Sequence, residues 1–137
     1  MFAFCMKHFL SSLLVAAFPF FLYGQAPSCD VFLPIGKYLE AGDAESLSAW
    51  FAPNLEVSVL GDSHDASRNQ AKQIVKTFFK SHSPSSFTIS HQAGRENLRC
   101  AIGMLEDDKE NFLVTIFISK PEGEGFQIQQ LKIDKAR

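Results

Sequence analysis

Three cysteines in 137 residues are too few to frame a small disulfide-bonded domain. Cys5 falls within an apolar leader, which leaves Cys29 and Cys100 for the rest of the chain. They could pair in an oxidising compartment. The preferred reading is that Cys100 is a buried strand residue and Cys29 a free thiol. Basic charge is also scarce: 13 Lys and Arg against 15 Asp and Glu give a net charge of −2. Such a balance gives no electrostatic footprint for phosphates, so nucleic acid is excluded as an expected partner. No apolar run reaches the roughly 20 residues of a comfortable membrane span. There is no internal repeat, no low-complexity tract and no strong catalytic or metal motif, so neither metal nor cofactor is expected.

What is present begins with a leader. "MFAFCMKHFLSSLLVAAFPFFLYGQAPSC" carries Lys7 and His8 near its start, an apolar run over Phe9–Leu22, and Gly24, Gln25 and Ala26 after it. Basic start, apolar middle and small-residue exit are the order of a secretory signal peptide. Cleavage is placed after Gly24, because a cut after Ala26 would set Pro27 against the extended pose that a peptidase reads. Lipid attachment at Cys29 is disfavoured, since "APSC" has Ala26 and Pro27 where a branched apolar residue and a non-proline are wanted. The expectation is a signal peptide over 1–24, one domain over 25–137, a secreted or periplasmic location, and no membrane span after cleavage. Without the leader, 12 basic side chains face 15 acidic ones.

The domain opens with helical patterns. In "DVFLPIGKYLEAG", Val31, Phe32, Ile35, Tyr38 and Leu39 share a face. Gly42 suits the left-handed closing position and Asp43 the cap of a second helix. Leu47, Trp50 and Phe51 recur at i, i+3, i+4, with Pro53-Asn54 as the stop. "LEVSVLG" alternates as a half-buried strand, and "DSHDASRN" is a polar loop. A third helix spans roughly Ser67 to His82, with Ala71, Ile74, Val75, Phe78 and Phe79 inward and Lys72, Lys76 and Lys80 on a solvated stripe. Four strands follow. Phe87, Ile89 and His91 share one side of the first. Leu98, Cys100, Ile102 and Met104 form the main row of the second, opposed by Ala101 and Leu105. Phe112, Val114, Ile116 and Ile118 form the row of the third. In "FQIQQLKI" the phase of Phe126 and Ile128 slips before Leu131 and Ile133, which marks a β-bulge at Gln129-Gln130 and a bent strand. The order ααβαββββ predicts an α+β domain with helices on one face of a strongly curved, mostly antiparallel sheet.

Short helix, "AGD", short helix ending "WFAPN", strand, helix and a four-strand curved sheet together resemble the nuclear transport factor 2-like superfamily of cone-shaped α+β domains, which includes steroid-isomerase-like and SnoaL-like members. "GDAESLSAWFAPNLEVSV" is the best local mark. The segments "PIGKYLEAGDAESLSAWFAPNLEVSVLG", "SRNQAKQIVKTFFKSHSPSSFTISHQAG", "ENFLVTIFISK" and "FQIQQLKI" are similar to a family within it of small secreted bacterial proteins of unknown function. The fold hosts enzymes, carriers and scaffolds alike. For the steroid-isomerase-like enzymes, the resemblance implies a base on the first strand and an oxyanion-donating tyrosine on the first helix. Those positions fall on Val59 and Ile35, which can do neither. Tyr38 lies one turn late.

Other candidate groups are weak. Asp62, His64 and Asp65 share a loop but lack metal-ligand spacing. His91 reads as a core or rim residue, Arg68 as part of a first-turn hydrogen-bond network rather than an anion site. Arg99 points to the strand face opposite Cys100 and does not activate its thiol. More suggestive is two-sided apolarity in the strands. Leu113, Phe117, Leu131 and Ile133 are candidates for an outer sheet face that pairs two copies in a homodimer. Tyr38, Trp50, Phe78 and His91 are candidate walls of a pocket for a small apolar ligand, with closure of the core as the plainer reading of the three aromatics. The expected function is a non-enzymatic binding or assembly module that takes such a ligand or a protein partner. The alternative is an isomerase, cyclase or hydrolase with displaced catalytic residues, drawn from His91, Tyr38 and Glu56.

Overall fold

The computed structural model describes residues 30–136. The expected signal peptide and Cys29 lie outside the described residues. Helix α1, Phe32–Ala41, buries Phe32, Ile35 and Leu39 on one face and carries Pro34 in its first turn, where the missing N–H has no intrahelical partner to lose. It closes on Gly42 at φ 67°, the left-handed position that costs glycine nothing. The Gly42 and Asp43 N–H groups donate to the Leu39 and Tyr38 carbonyls at 3.1 and 2.9 Å. Asp43 then caps α2, Ala44–Ser48. Its carboxylate accepts from the Ser46 N–H at 3.1 Å and the Ser46 hydroxyl at 2.7 Å.

The second helix ends sooner than its apolar spacing predicts. Strand β1, Phe51–Val59, already contains Phe51, Pro53 and Asn54. A five-residue helix followed at once by a strand can put Leu47 and Phe51 on the same core, so the i, i+4 spacing does not require one helix through both. The Trp50 carbonyl accepts from the Ile128 N–H at 2.6 Å and so joins the turn to strand β6, Gln127–Lys135. Pro53 lies where the β1–β6 register slips between Phe51 and Glu56, a stretch in which no ladder N–H is demanded of it.

The polar stretch after β1 is also a strand rather than a loop. β2, Asp62–Ser67, pairs antiparallel with β1 from Val59–Asp62 to Asn54–Ser67. Asp62 to Asp65 are exposed, and an edge strand with little to bury shows no apolar alternation. Helix α3, Arg68–Ser81, follows directly behind a capping box formed by Ser67 and Gln70. Then come β3, Ser86–Gly94; β4, Leu98–Glu106; β5, Asn111–Ser119; and β6, Gln127–Lys135. The order is therefore ααββαββββ, with strands arranged β2-β1-β6-β5-β4-β3 and only the β1–β6 pair parallel. The α+β expectation holds, with six strands in place of five.

Two bulges decide which residues face the helices. In β6, Gln130 pairs with Phe117 and Ile128 with Ile118, so Gln129 is the extra residue. It resets the alternation, and Ile128, Leu131 and Ile133 all point into the core with no exposed surface. Leu131 and Ile133 thus do not belong to an outer face. In β3, Ile89 pairs with Gly103 and His91 with Ile102, so Ser90 is extra. His91 is turned to the outer face, away from Phe87 and Ile89, and is exposed. The row of β4 is inverted as well. Ala101 and Leu105 are buried against the helices, whereas Leu98, Cys100, Ile102 and Met104 face outward and are exposed or half-buried. Gly103 stands in the inner row because a Cβ there would meet the Phe87 ring at 2.5 Å. Phe87 lies between it and Gly36 of α1, where a Cβ would come within 3.3 Å of the same ring.

Candidate functional site

A cleft of about 330 Å³ opens where the last turns of α3 meet the β1–β2 hairpin. Val59, Leu60, Ile74 and Phe78 give it an apolar lining, and Asp62, His64, Thr77, Ser81 and His82 give it polar groups. The most constrained of these is His82, which follows α3 and donates its N–H to the Phe78 carbonyl at 2.9 Å. Its ring lies 4.9 Å from those of Phe78 and Phe112. Nδ1 sits 3.3 Å from Asp107 Oδ2 and 3.8 Å from Glu110 Oε1.

Asp107 is fixed in turn. Its Oδ1 accepts from the N–H groups of Lys109 at 2.8 Å and Glu110 at 2.6 Å in the β4–β5 turn. The Glu110 and Lys109 N–H groups, followed by His82, hold its carboxyl below the usual range. An ionised carboxylate only accepts, so the proton of the His82–Asp107 bond resides on Nδ1. In the neutral ring Nε2 is then an acceptor. Sequence reasoning missed this pair: His82 appears only as a helix end, and Asp107 follows 25 residues later in a charged turn.

The four expected wall residues are not brought together. Phe78 borders the cleft. Tyr38 and Trp50 are half-buried against the core, and His91 is on the opposite side of the sheet. Val59 does line the cleft, so the position where the resemblance implies a catalytic base carries only carbon. Ile35, the implied tyrosine position, is fully buried. Asp62 and His64 stand on the strand face opposite Asp65, and the three do not converge. Arg68 Nε donates to the Phe51 carbonyl at 3.1 Å and ties α3 to β1, a longer-range bond than the first-turn network expected of it.

The second surface is the sheet face away from the helices. Leu98, Leu113 and Phe117 are 56, 38 and 36 % exposed. Half-buried Cys100 pairs with Phe117 across β4 and β5, Met104 with Leu113, and Ile102 with Thr115. Burial pushes the Cys100 thiol up, the opposite of the shift a nucleophilic thiol needs, and Arg99 lies over the Phe126 ring at 5.4 Å. Toward β1 the face becomes polar. Glu56 accepts from Ser63 Oγ at 3.0 Å and Gln130 Nε2 at 2.9 Å, and Lys132 lies 3.7 Å from Asp134.

The family profile described as a domain of unknown function, DUF4783, matches residues 32–134, which span both surfaces. The chain belongs to the DUF4783 family. Two DUF4783 crystal structures share its architecture. The protein from Bacteroides uniformis is 25% identical at TM-score 0.74, covering 79% of this chain and 99% of its own. The one from Bacteroides ovatus is 25% identical at TM-score 0.72, covering 77% and 94%. A nuclear transport factor 2-like design, Rd1NTF2_04 with long sheet, superposes at TM-score 0.59 and 17% identity over 73% of this chain and 93% of its own, a likeness of fold alone. No curated protein matches the chain. The family shown is thus DUF4783, and its fold agrees with the resemblance.

Proposed function

We propose that this domain is an exported, non-enzymatic assembly module whose outer sheet face pairs with a second copy. The observation that carries this reading is the uncovered apolar row of Leu98, Cys100, Ile102, Met104, Leu113 and Phe117. A face left to water should be polar, as it is around Glu56 and Lys132. A second copy suits the row because its six side chains are uncharged, with Arg95 and Arg99 at one end and Lys132 and Asp134 on the neighbouring strand at its border. Nine-residue strands run about 30 Å, and four adjacent strands, three spacings, about 14 Å, so the face is smaller than the roughly 800 Å² per partner of a standard interface and suits a weak, concentration-dependent pair.

The enzyme reading has less support. Glu56 on β1 and His91 on β3 are four strand steps apart, about 19 Å. Tyr38 is on α1, on the far side of the sheet from both.

The test is light scattering of the purified protein across concentrations. The expected result is twice the chain mass at tens of micromolar for the wild type and a folded monomer for Phe117→Glu. A clean wild-type monomer at that concentration overturns the proposal.

A further inference from the structure

The β1–β2 turn contains a residue that its own fold does not favour. Val59 pairs with Asp62, and Leu60 and Gly61 between them have φ of 53° and 92°. Two positive φ values in a two-residue hairpin are those of a type I′ turn, which selects Asn-Gly or Asp-Gly. A leucine in the left-handed region is strained by its Cβ and carries no local hydrogen bond to offset that. Burial does not offset it either: Leu60 is 46 % exposed. Its backbone is anchored, since the N–H donates to the Ile133 carbonyl at 2.8 Å, but asparagine would serve that bond as well. What leucine adds is an apolar side chain to the lining of the cleft, which Leu60 shares with His82. Such strain is retained where surrounding structure or function demands it.

We propose that this cleft binds a small apolar alcohol or phenol, with its carbon body against Leu60, Val59, Ile74 and Phe78 and its hydroxyl donating to His82 Nε2. The site is independent of the outer sheet face. A neutral hydroxyl fits better than an anion, because Asp62 lies on the rim and Asp107 and Glu110 stand behind the imidazole, with only Glu110 neutralised by Lys135 at 2.8 Å. A cationic head would compete with the proton on Nδ1 for Asp107. The ring that receives the hydroxyl is held by two aromatic rings and a carboxylate that is itself fixed, so the acceptor is positioned before the ligand arrives.

The experiment uses protein purified from cells expressing the full chain, with the intrinsic fluorescence anisotropy of 2-naphthol and of 2-methoxynaphthalene as readouts. The two probes share a ring system and differ in the donated proton. Wild type is expected to bind 2-naphthol about tenfold tighter, the value of one well-formed hydrogen bond. In His82→Phe, which keeps a ring between Phe78 and Phe112, the preference is expected to vanish while binding of 2-methoxynaphthalene remains. Leu60→Asn is expected to raise the melting temperature by about 4 °C and to weaken both probes about fivefold. Equal affinity of the wild type for the two probes, absence of saturable 2-naphthol binding, or a Leu60→Asn protein that binds both probes unchanged overturns the proposal. None of these results depends on whether the protein is a dimer.

Discussion

At the scale of single residues, Gly42 and Asp43 show how much a few atoms specify. The glycine ends one helix and the aspartate begins the next, and both roles follow from residue type and position alone. The Ser46 hydroxyl, then the Ser46 N–H, hold the Asp43 carboxyl below its usual value. A carboxyl whose folded pKa is depressed adds stability that is complete above its unfolded value of about 3.9 and is lost as pH falls through the folded pKa. Asp43→Asn keeps a capping oxygen but does not titrate there. It is expected to remain close to wild type at neutral pH and to lose less stability than wild type on acidification below about pH 4. Asp43→Ala is expected to cost about 1 kcal/mol at neutral pH. Urea unfolding of the three proteins at neutral and acid pH checks both; an Asp43→Asn protein as acid-sensitive as wild type would show that the cap carries no part of that dependence. Single residues were less informative about the cleft. His82 gains its partner from a turn 25 positions away, and no local spacing signals that approach. Leu60-Gly61 carries no strain as a dipeptide; the strain follows from the pairing of Val59 with Asp62, which closes the turn on those two residues.

At the scale of elements, local patterns succeeded where one face is buried and failed where none or both are apolar. The helix faces of α1 and α3 follow from apolar spacing, since each has one side turned to solvent. β2 leaves no apolar pattern because Asp62 to Asp65 bury nothing. The inner row of β4 is not legible from its pattern because both of its rows are apolar, and the small residues Ala101 and Gly103 that fit beneath the helices form the weaker-looking row. The bulge in β6 was legible as a phase slip, but its direction was not: only the pairing with β5 shows that the slip brings Leu131 and Ile133 onto the core side of Ile128. Deleting Gln129 should therefore force the segment beyond it to the wrong face or displace its pairing. Exposing two buried aliphatic side chains costs about 4 kcal/mol, a large part of the stability of a domain this size. The expected outcome is loss of the cooperative unfolding transition, read by circular dichroism. A Gln129 deletion that unfolds cooperatively at the wild-type urea midpoint would show that the strand does not need its extra residue.

At the scale of the whole molecule, the sheet separates two surfaces of different character. The helix side closes a core and carries a cleft at the hairpin; the other side offers an apolar row at the β3–β5 end and a hydrogen-bonded polar network at the other. Dimerisation through that row has a consequence for a residue that performs no chemistry. Cys100 lies in the row, paired across the strands with Phe117, and its thiol is half-buried even in a single copy. A second copy laid on the face would cover it further, so its reaction with an alkylating reagent would have to proceed through the dissociated monomer. The rate of iodoacetamide labelling at Cys100, followed peptide by peptide to separate it from the other cysteines, is expected to fall as protein concentration rises through the dimerisation range. In Phe117→Glu it is expected to be independent of concentration. A wild-type rate that stays constant while light scattering reports a growing dimer would place the interface elsewhere on the molecule. A rate that falls with the monomer fraction would locate the interface on the β3–β5 face.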